Sequence, residues 1–464
     1  MPRRVLSALG LTLAILLVVT VAGWFGGPKV LYALALWSDS GSPTIDPGLY
    51  APPPVPTPRP VPPTPVAAAA TVQGKLPDGA TLLARLNAVD RSKVPRPGLA
   101  VVDPLTATSI TGQSADALFT PASTLKLLTS AAALAAFGPD HRFTTRVVAG
   151  TGSQIVLVGG GDPYLRGAAT TNYPARASIA DLAEATATAL KAAGRTSVTL
   201  AYDDSLFTGP GWNPAWPATY HGDATPTSAL WVDEDVTGAT HNQNPSGDAA
   251  TAFVAQLSAR GIAVTATAAG TAPSGATEIA SVQSLPLDLI VEQLLLHSDN
   301  DATEVLFRQV AIAAGKSGSI TDAQVAVPAK LAEIGLWRDG MKMDDGSGLS
   351  RGNLATPSVL ALAIAKGFAD VRYRSLVEGL PTAAADGTLH ARFDDLPTEG
   401  AGRGAVRAKT GTLTGVHSLA GFTRTADGAV VAFAFIANDV PADGALAARD
   451  WLERTSSVVA ACGC

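Results

Sequence analysis

The spacing of apolar positions changes period several times along the chain, and each change marks a candidate element. Residues 5–27, "VLSALGLTLAILLVVTVAGWFGG", are apolar on every side and carry no charge. About 20 such residues cross a bilayer as a helix, and a cleaved signal core is shorter, ~7–15. An uncleaved anchor is therefore favoured, although "ALA" at 33–35 resembles a cleavage site; Arg3 and Arg4 predict an N-in, C-out orientation. The tract 42–65, "SPTIDPGLYAPPPVPTPRPVPPTP", breaks all periodicity. Proline fixes φ and lacks a donor, so two dozen residues at ~3.1 Å each form a polyproline spacer of order 70 Å.

Globular patterning begins near Lys75. A helix over 78–89 precedes two short strands, "PGLAVVD" and "ATSITG", and a further helix runs from Ser123 to Phe137 and stops at Gly138. From 139 to 280 short strand-like runs dominate, such as "SQIVLVGG" and "TSVTLAYDD", interrupted by one helix at 179–193. Helical spacing returns at 285–315 and 355–369, and the chain closes with three strand-like runs and a helix at 441–453. Strands at both ends with helices between predict an α/β (α+β) fold whose antiparallel sheet is assembled from the two ends and flanked by helices. The expected division is a membrane anchor or signal at 1–27, a Pro-rich linker at 28–74, one domain from 75–138 and 281–464, and a β-rich insertion at 139–280.

Composition narrows the function. A formal net charge of −6 argues against nucleic acid as a main partner. Both cysteines, Cys462 and Cys464, lie in the last three positions, so the body holds neither a disulfide framework nor a thiolate metal site. The C-x-C tail reads as a disulfide, a chelator or a frayed end, and fraying is the expectation. Six scattered histidines form no H-E-x-x-H, which argues against a zinc hydrolase.

Three short patterns carry chemistry. Ser123-Thr124-Leu125-Lys126 opens a helix, and i, i+3 spacing places the hydroxyl and amine on one face. A serine attacks only once a base removes its proton, and a lysine serves when burial or a second cation lowers its pKa. Alone, the pair also reads as an ordinary amphipathic helix start. Ser298-Asp299-Asn300 lies between two helical stretches, either as a proton relay and amide clamp or as a helix cap. Lys409-Thr410-Gly411-Thr412 lies in a strand: a cation with two hydroxyls for a carboxylate, or a hairpin with a glycine bulge.

In that order, and on helix, loop and strand, the three patterns resemble the motif set of the penicillin-recognising serine enzymes. About 170 residues between Lys126 and Ser298 make the chain resemble class C low-molecular-mass penicillin-binding proteins, the D-alanyl-D-alanine carboxypeptidase/endopeptidase group. The likeness extends to "LVGGGDPYL" (157–165), "YDDSLF" (202–207), "SVQSLPL" (281–287), "DGSGLSRGN" (345–353), "DGTLHAR" (386–392) and "AKTGTLTGVHSLAGF" (408–422). It implies a serine β-lactamase/transpeptidase-like fold and an acyl-enzyme on Ser123, with Lys126 as base and Ser298 protonating the leaving group. It also implies that Asn300 binds the substrate backbone, that Lys409, Thr410 and Thr412 hold the terminal carboxylate beside Gly411, and that the N–H groups of Ser123 and Thr412 form an oxyanion hole. Ser347 and Arg351 are further candidates. The implied partners are peptidoglycan peptides, β-lactams as inhibitors and the membrane, in an extracytoplasmic setting, and the resemblance implies no metal or other cofactor.

Two rivals share part of this picture. A serine β-lactamase has the same constellation, but the E-x-x-L-N pattern of class A is absent. A non-catalytic cell-wall binding protein has no need of both lysines.

Overall fold

The computed structural model describes residues 74–169, 174–237 and 240–464. The expected anchor at 5–27 and the proline tract lie outside these residues. Among the described residues no helix is long and apolar enough to cross a membrane.

Two five-stranded sheets organise the described residues. The first joins β1 (Arg96–Asp103) and β2 (Thr108–Gln113) to β8 (Arg407–Leu413), β9 (Val416–Arg424) and β10 (Val430–Asn438). Its order is β8-β9-β10-β1-β2, antiparallel throughout, so the sheet is assembled from both ends of the chain as expected. One face packs on α2 (Lys126–Phe137) and α8 (Pro357–Ala369), and the other on α1 (Gly79–Asn87) and α9 (Ala445–Ala460). Strand β10 is buried along almost its whole length, as a central strand covered on both faces must be.

The second sheet uses residues 144–283: β3 (Thr144–Ala149), β4 (Gln154–Val158), β5 (Ser197–Asp203), β6 (Ala263–Ala269) and β7 (Glu278–Gln283), in the order β6-β5-β4-β3-β7. It is mixed: β4, β5 and β6 run parallel, and the parallel crossovers carry α3 (Ile179–Ala192) and α4 (Pro245–Ala259). The expectation of one helix in this block is corrected to two. In α4 the run "DAATAFVAQLSA" supplies mostly small side chains, so its buried stripe of Ala249, Ala250, Phe253 and Leu257 has little apolar contrast. The same dilution hides α7 (Ile320–Glu333).

The C-terminal tail does not fray. Cys462 and Cys464 are paired with each other, Cys462 is fully buried, and the Cys464 carbonyl accepts from the Asp78 backbone N–H at 2.8 Å.

Candidate active site

The segment that opens with Pro121 does not begin as an α-helix. Ala122–Leu125 form a 3₁₀ turn, and α2 starts at Lys126. In a 3₁₀ turn residues three apart eclipse, which aligns Ser123 and Lys126 on one side of the turn. Lys126 Nζ stands 3.0 Å from Ser123 Oγ. The turn is held where the chain bends: Ala122 has φ 49°, and Thr124 Oγ1 donates to the Pro121 carbonyl at 2.7 Å. Gly348, at φ +89°, lies so close that a Cβ there would stand 2.0 Å from the Ala122 oxygen.

Lys126 is fully buried and donates to Asn300 Oδ1 and to the Ser347 carbonyl, both at 2.7 Å. Burial disfavours the ammonium and lowers its pKa to about 8, against the opposing charges of Asp345, Glu304, Asp299 and Asp301. The α5 (Leu287–His297) to α6 (Asn300–Ala313) junction delivers the second motif. Ser298 takes a left-handed conformation (φ 60°), and Asp299 caps α6 by accepting from the Ala302 N–H at 2.9 Å. The cap interpretation therefore holds for Asp299, while Asn300 joins Lys126 and donates from Nδ2 to the Asp223 carbonyl at 2.8 Å. Among the described residues the hydrogen bonds of Lys126 reach Ser123, Asn300 and Ser347, and not Ser298.

Strand β8 is the edge of its sheet, and the third motif lies on it. The Ala408 N–H donates to the Pro381 carbonyl, away from β9. Alternation along the strand then turns the backbone groups of Thr410 and Thr412 to the same free edge. Side chains alternate as well: Ala408 belongs to the core under α9, so Thr410 and Thr412 face that side, and Lys409 and Gly411 face α2. A Cβ on Gly411 would stand 3.0 Å from the Ser123 nitrogen and 2.2 Å from Ser418 Oγ, so this glycine permits a close approach rather than a bulge. The β8–β9 register is unshifted across it. Lys409 is fully buried and donates to the Thr410 carbonyl at 2.8 Å. Burial, then the charge of Lys126, holds its pKa well below the ordinary lysine value.

Several supporting residues lie outside the three motifs. Glu304 on α6 accepts from the backbone N–H groups of Gly346 (3.0 Å) and Ser347 (2.7 Å), which fixes the carbonyl that Lys126 reaches. Burial, then the neighbouring Asp345, raises the Glu304 carboxyl pKa. Asp345 accepts from the Gly348 N–H (2.9 Å), Asn353 Nδ2 (2.7 Å) and Trp216 Nε1 (2.7 Å). Arg351 reaches from this loop to the Thr414 carbonyl at 2.6 Å. Ser347 Oγ is buried without a hydrogen-bond partner among the described residues. The "GGGD" turn serves packing: Gln309 Nε2 on α6 donates to the carbonyls of Gly160 and Gly161. Asp394, Glu399 and Glu453 meet metal-ligand spacing, but Arg392 and Arg449 pair with Glu453, and Arg454 with Glu399.

The D-Ala-D-Ala carboxypeptidase 3 (S13) family model matches residues 83–248 and 234–457. A carboxypeptidase of Mycobacterium tuberculosis is 35% identical over 379 residues, covering 78% of this chain and 80% of that protein. The crystal structure of penicillin binding protein 4 from Haemophilus influenzae superposes with a TM-score of 0.65 at 21% identity, covering 78% of this chain and 93% of that one. The same protein complexed with a β-lactam gives a TM-score of 0.58 at 22% identity, covering 77% and 93%. These structures establish the shared fold, antiparallel and mixed sheets flanked by helices. The chain belongs to the D-Ala-D-Ala carboxypeptidase 3 (S13) family.

Proposed function

We propose that this serine peptidase acts on peptidoglycan stem peptides with Ser123 as nucleophile and Lys126 as its base. The observation that carries this reading is the 3.0 Å contact between Lys126 Nζ and Ser123 Oγ, made by an amine whose burial favours its neutral form. Ser123 Oγ bonds to the carbonyl carbon of the penultimate D-Ala and gives its proton to Lys126. The oxyanion is received by the N–H groups of Ser123 and Thr412, the latter on the free edge of β8; such a donor contributes ~10²–10³ in rate. The C–N bond then breaks, and the departing nitrogen takes the proton, with Ser298 as relay. Water hydrolyses the acyl-enzyme and returns a proton to Ser123.

Asn300 binds the substrate backbone, Lys409, Thr410 and Thr412 hold the terminal carboxylate, and Gly411 gives the chain close access to β8. β-Lactams inhibit by acylating Ser123. The relative solved with a β-lactam has the same fold and supports this reading. The protein acts outside the cytoplasm, tethered by residues 5–27, with 28–74 as spacer and 139–280 inserted into a catalytic domain of 75–138 and 281–464.

The test is labelling with a fluorescent penicillin, with D-Ala release from a synthetic pentapeptide measured in parallel. Ser123→Ala abolishes both, a loss of order 10⁴–10⁶; labelling that persists in this variant overturns the assignment.

A further inference from the structure

The block 139–280 meets the Ser123 site at the first turn of α6, and one side chain there has no part in the chemistry above. Asn300 is held at both ends of its amide: Oδ1 accepts from Lys126 Nζ at 2.7 Å, and Nδ2 donates to the Asp223 carbonyl at 2.8 Å. An amide has its acceptor at one end and its donors at the other. The Asp223 carbonyl therefore selects the orientation that turns Oδ1 to the lysine. Asp223 itself is exposed, so its carbonyl is kept in place by the residues that follow it.

Two residues on, Thr225 is fully buried and makes that attachment. Its N–H donates at 2.8 Å to Oδ1 of Asp301, on the same turn of α6 as Asn300. Its hydroxyl donates to the Glu234 carbonyl at 2.9 Å and lies 2.9 Å from His241 Nδ1. A hydroxyl has one proton to give, so with that proton on Glu234 the second contact is an Nδ1–H donating to Oγ1. The same ring nitrogen stands 3.3 Å from Asp301 Oδ2. One N–H of His241 thus spans Thr225 and the aspartate beside Asn300.

Its surroundings are built to keep it there. Burial raises the Asp301 carboxyl pKa to about 6, and the hydrogen bond from His241 opposes that rise. Asp233, Glu234 and Asp235 take φ of 54°, 59° and 55°, a left-handed run that persists only where neighbouring structure holds it. The run delivers the Glu234 carbonyl to Thr225, and a short hairpin that pairs Val236 with His241 returns the imidazole to the same threonine.

We infer that His241 is a positioning residue for the Ser123 site: it clamps segment 223–225 onto the first turn of α6 and, through the Asp223 carbonyl, holds the Asn300 amide toward Lys126. Among the described residues its ring bonds to Thr225 and Asp301, so it acts through Asn300 and not on the reacting atoms. The inference rests on Ser123 as nucleophile and Lys126 as base.

The test measures the rate of acylation by fluorescent penicillin, per folded molecule, in wild type, His241→Ala, Asn300→Ala and the double variant. Displacing a positioned group by about 1 Å costs up to ~10² in rate, so His241→Ala is slower by roughly 10- to 100-fold. In the Asn300→Ala background the same substitution adds less than about twofold, because the amide it positions is gone. His241→Asn places an amide N–H near the position of Nδ1 and recovers most of the rate. Equal losses in the two backgrounds overturn the inference, as does a wild-type rate in His241→Ala or a His241→Asn no faster than His241→Ala. Persistence of labelling in Ser123→Ala instead removes the nucleophile itself, so the two failures are told apart.

Discussion

The mixed sheet and the antiparallel sheet bury different chemistry. Around β3, β4 and β5 the core is Val147, Ile155, Leu157 and Leu200 against Leu182, Phe253 and Leu257. Asp162, in the turn after β4, and Asp203, the last residue of β5, are buried with backbone N–H groups donating to their carboxylates. Around the Ser123 site, by contrast, Lys126, Lys409 and Glu304 are all at most 3% exposed. Burying an ion costs several kcal/mol unless pairing and hydrogen bonds offset it. Around Ser123 that cost becomes chemistry: desolvation lowers the Lys126 pKa toward the range where an amine accepts a proton.

Loss of the Lys126 amine has the largest expected effect. Lys126→Met keeps the length of the side chain and removes the amine, so acylation by fluorescent penicillin falls ~10²–10⁴-fold. Removing a buried ammonium leaves the melting temperature close to that of wild type. A variant that retains wild-type acylation refutes the role of Lys126 as base.

The converse substitution lies in the mixed sheet. Leu157→Ala, at a fully buried position of β4, lowers stability by ~2–5 kcal/mol in denaturant titration. Acylation per folded molecule stays at the wild-type level; a parallel fall in acylation would show that the two sheets are not separable in function.

The pH dependence is the mildest effect. Below about 8 the Lys126 ammonium accumulates, so the acylation rate drops about tenfold per pH unit on that side and levels above it. The sign for stability follows. The unfolded chain keeps the lysine proton up to about 10.4, so between the two values it binds more protons than the folded protein. The Lys126 contribution to stability therefore rises with pH across that window. An acylation profile flat from pH 6 to 9 would remove the proton-acceptor role.

The centre of the antiparallel sheet was legible because β10 is an unbroken apolar run, "AVVAFAFIA". Helix α4 was not, because alanine, serine and threonine give its buried stripe little contrast with its exposed one. The C-terminal cysteines read as an end that frays, since nothing local announces the backbone bond from Asp78 to Cys464 across the whole described chain.

The local part of the site was set by the sequence itself: Ser123 and Lys126 three apart, a capping run at Ser298-Asp299-Asn300, and a glycine within the strand at Gly411. Tertiary structure decided the rest. The Ser347 carbonyl and the Asn300 amide oxygen on Lys126, and the support of the Gly346 and Ser347 N–H groups by Glu304, all join residues far apart in the chain. Periodicity records which side of an element is buried and not what it is buried against. The state of a buried amine depends on that surrounding, because desolvation and neighbouring charge are sums over everything packed around it.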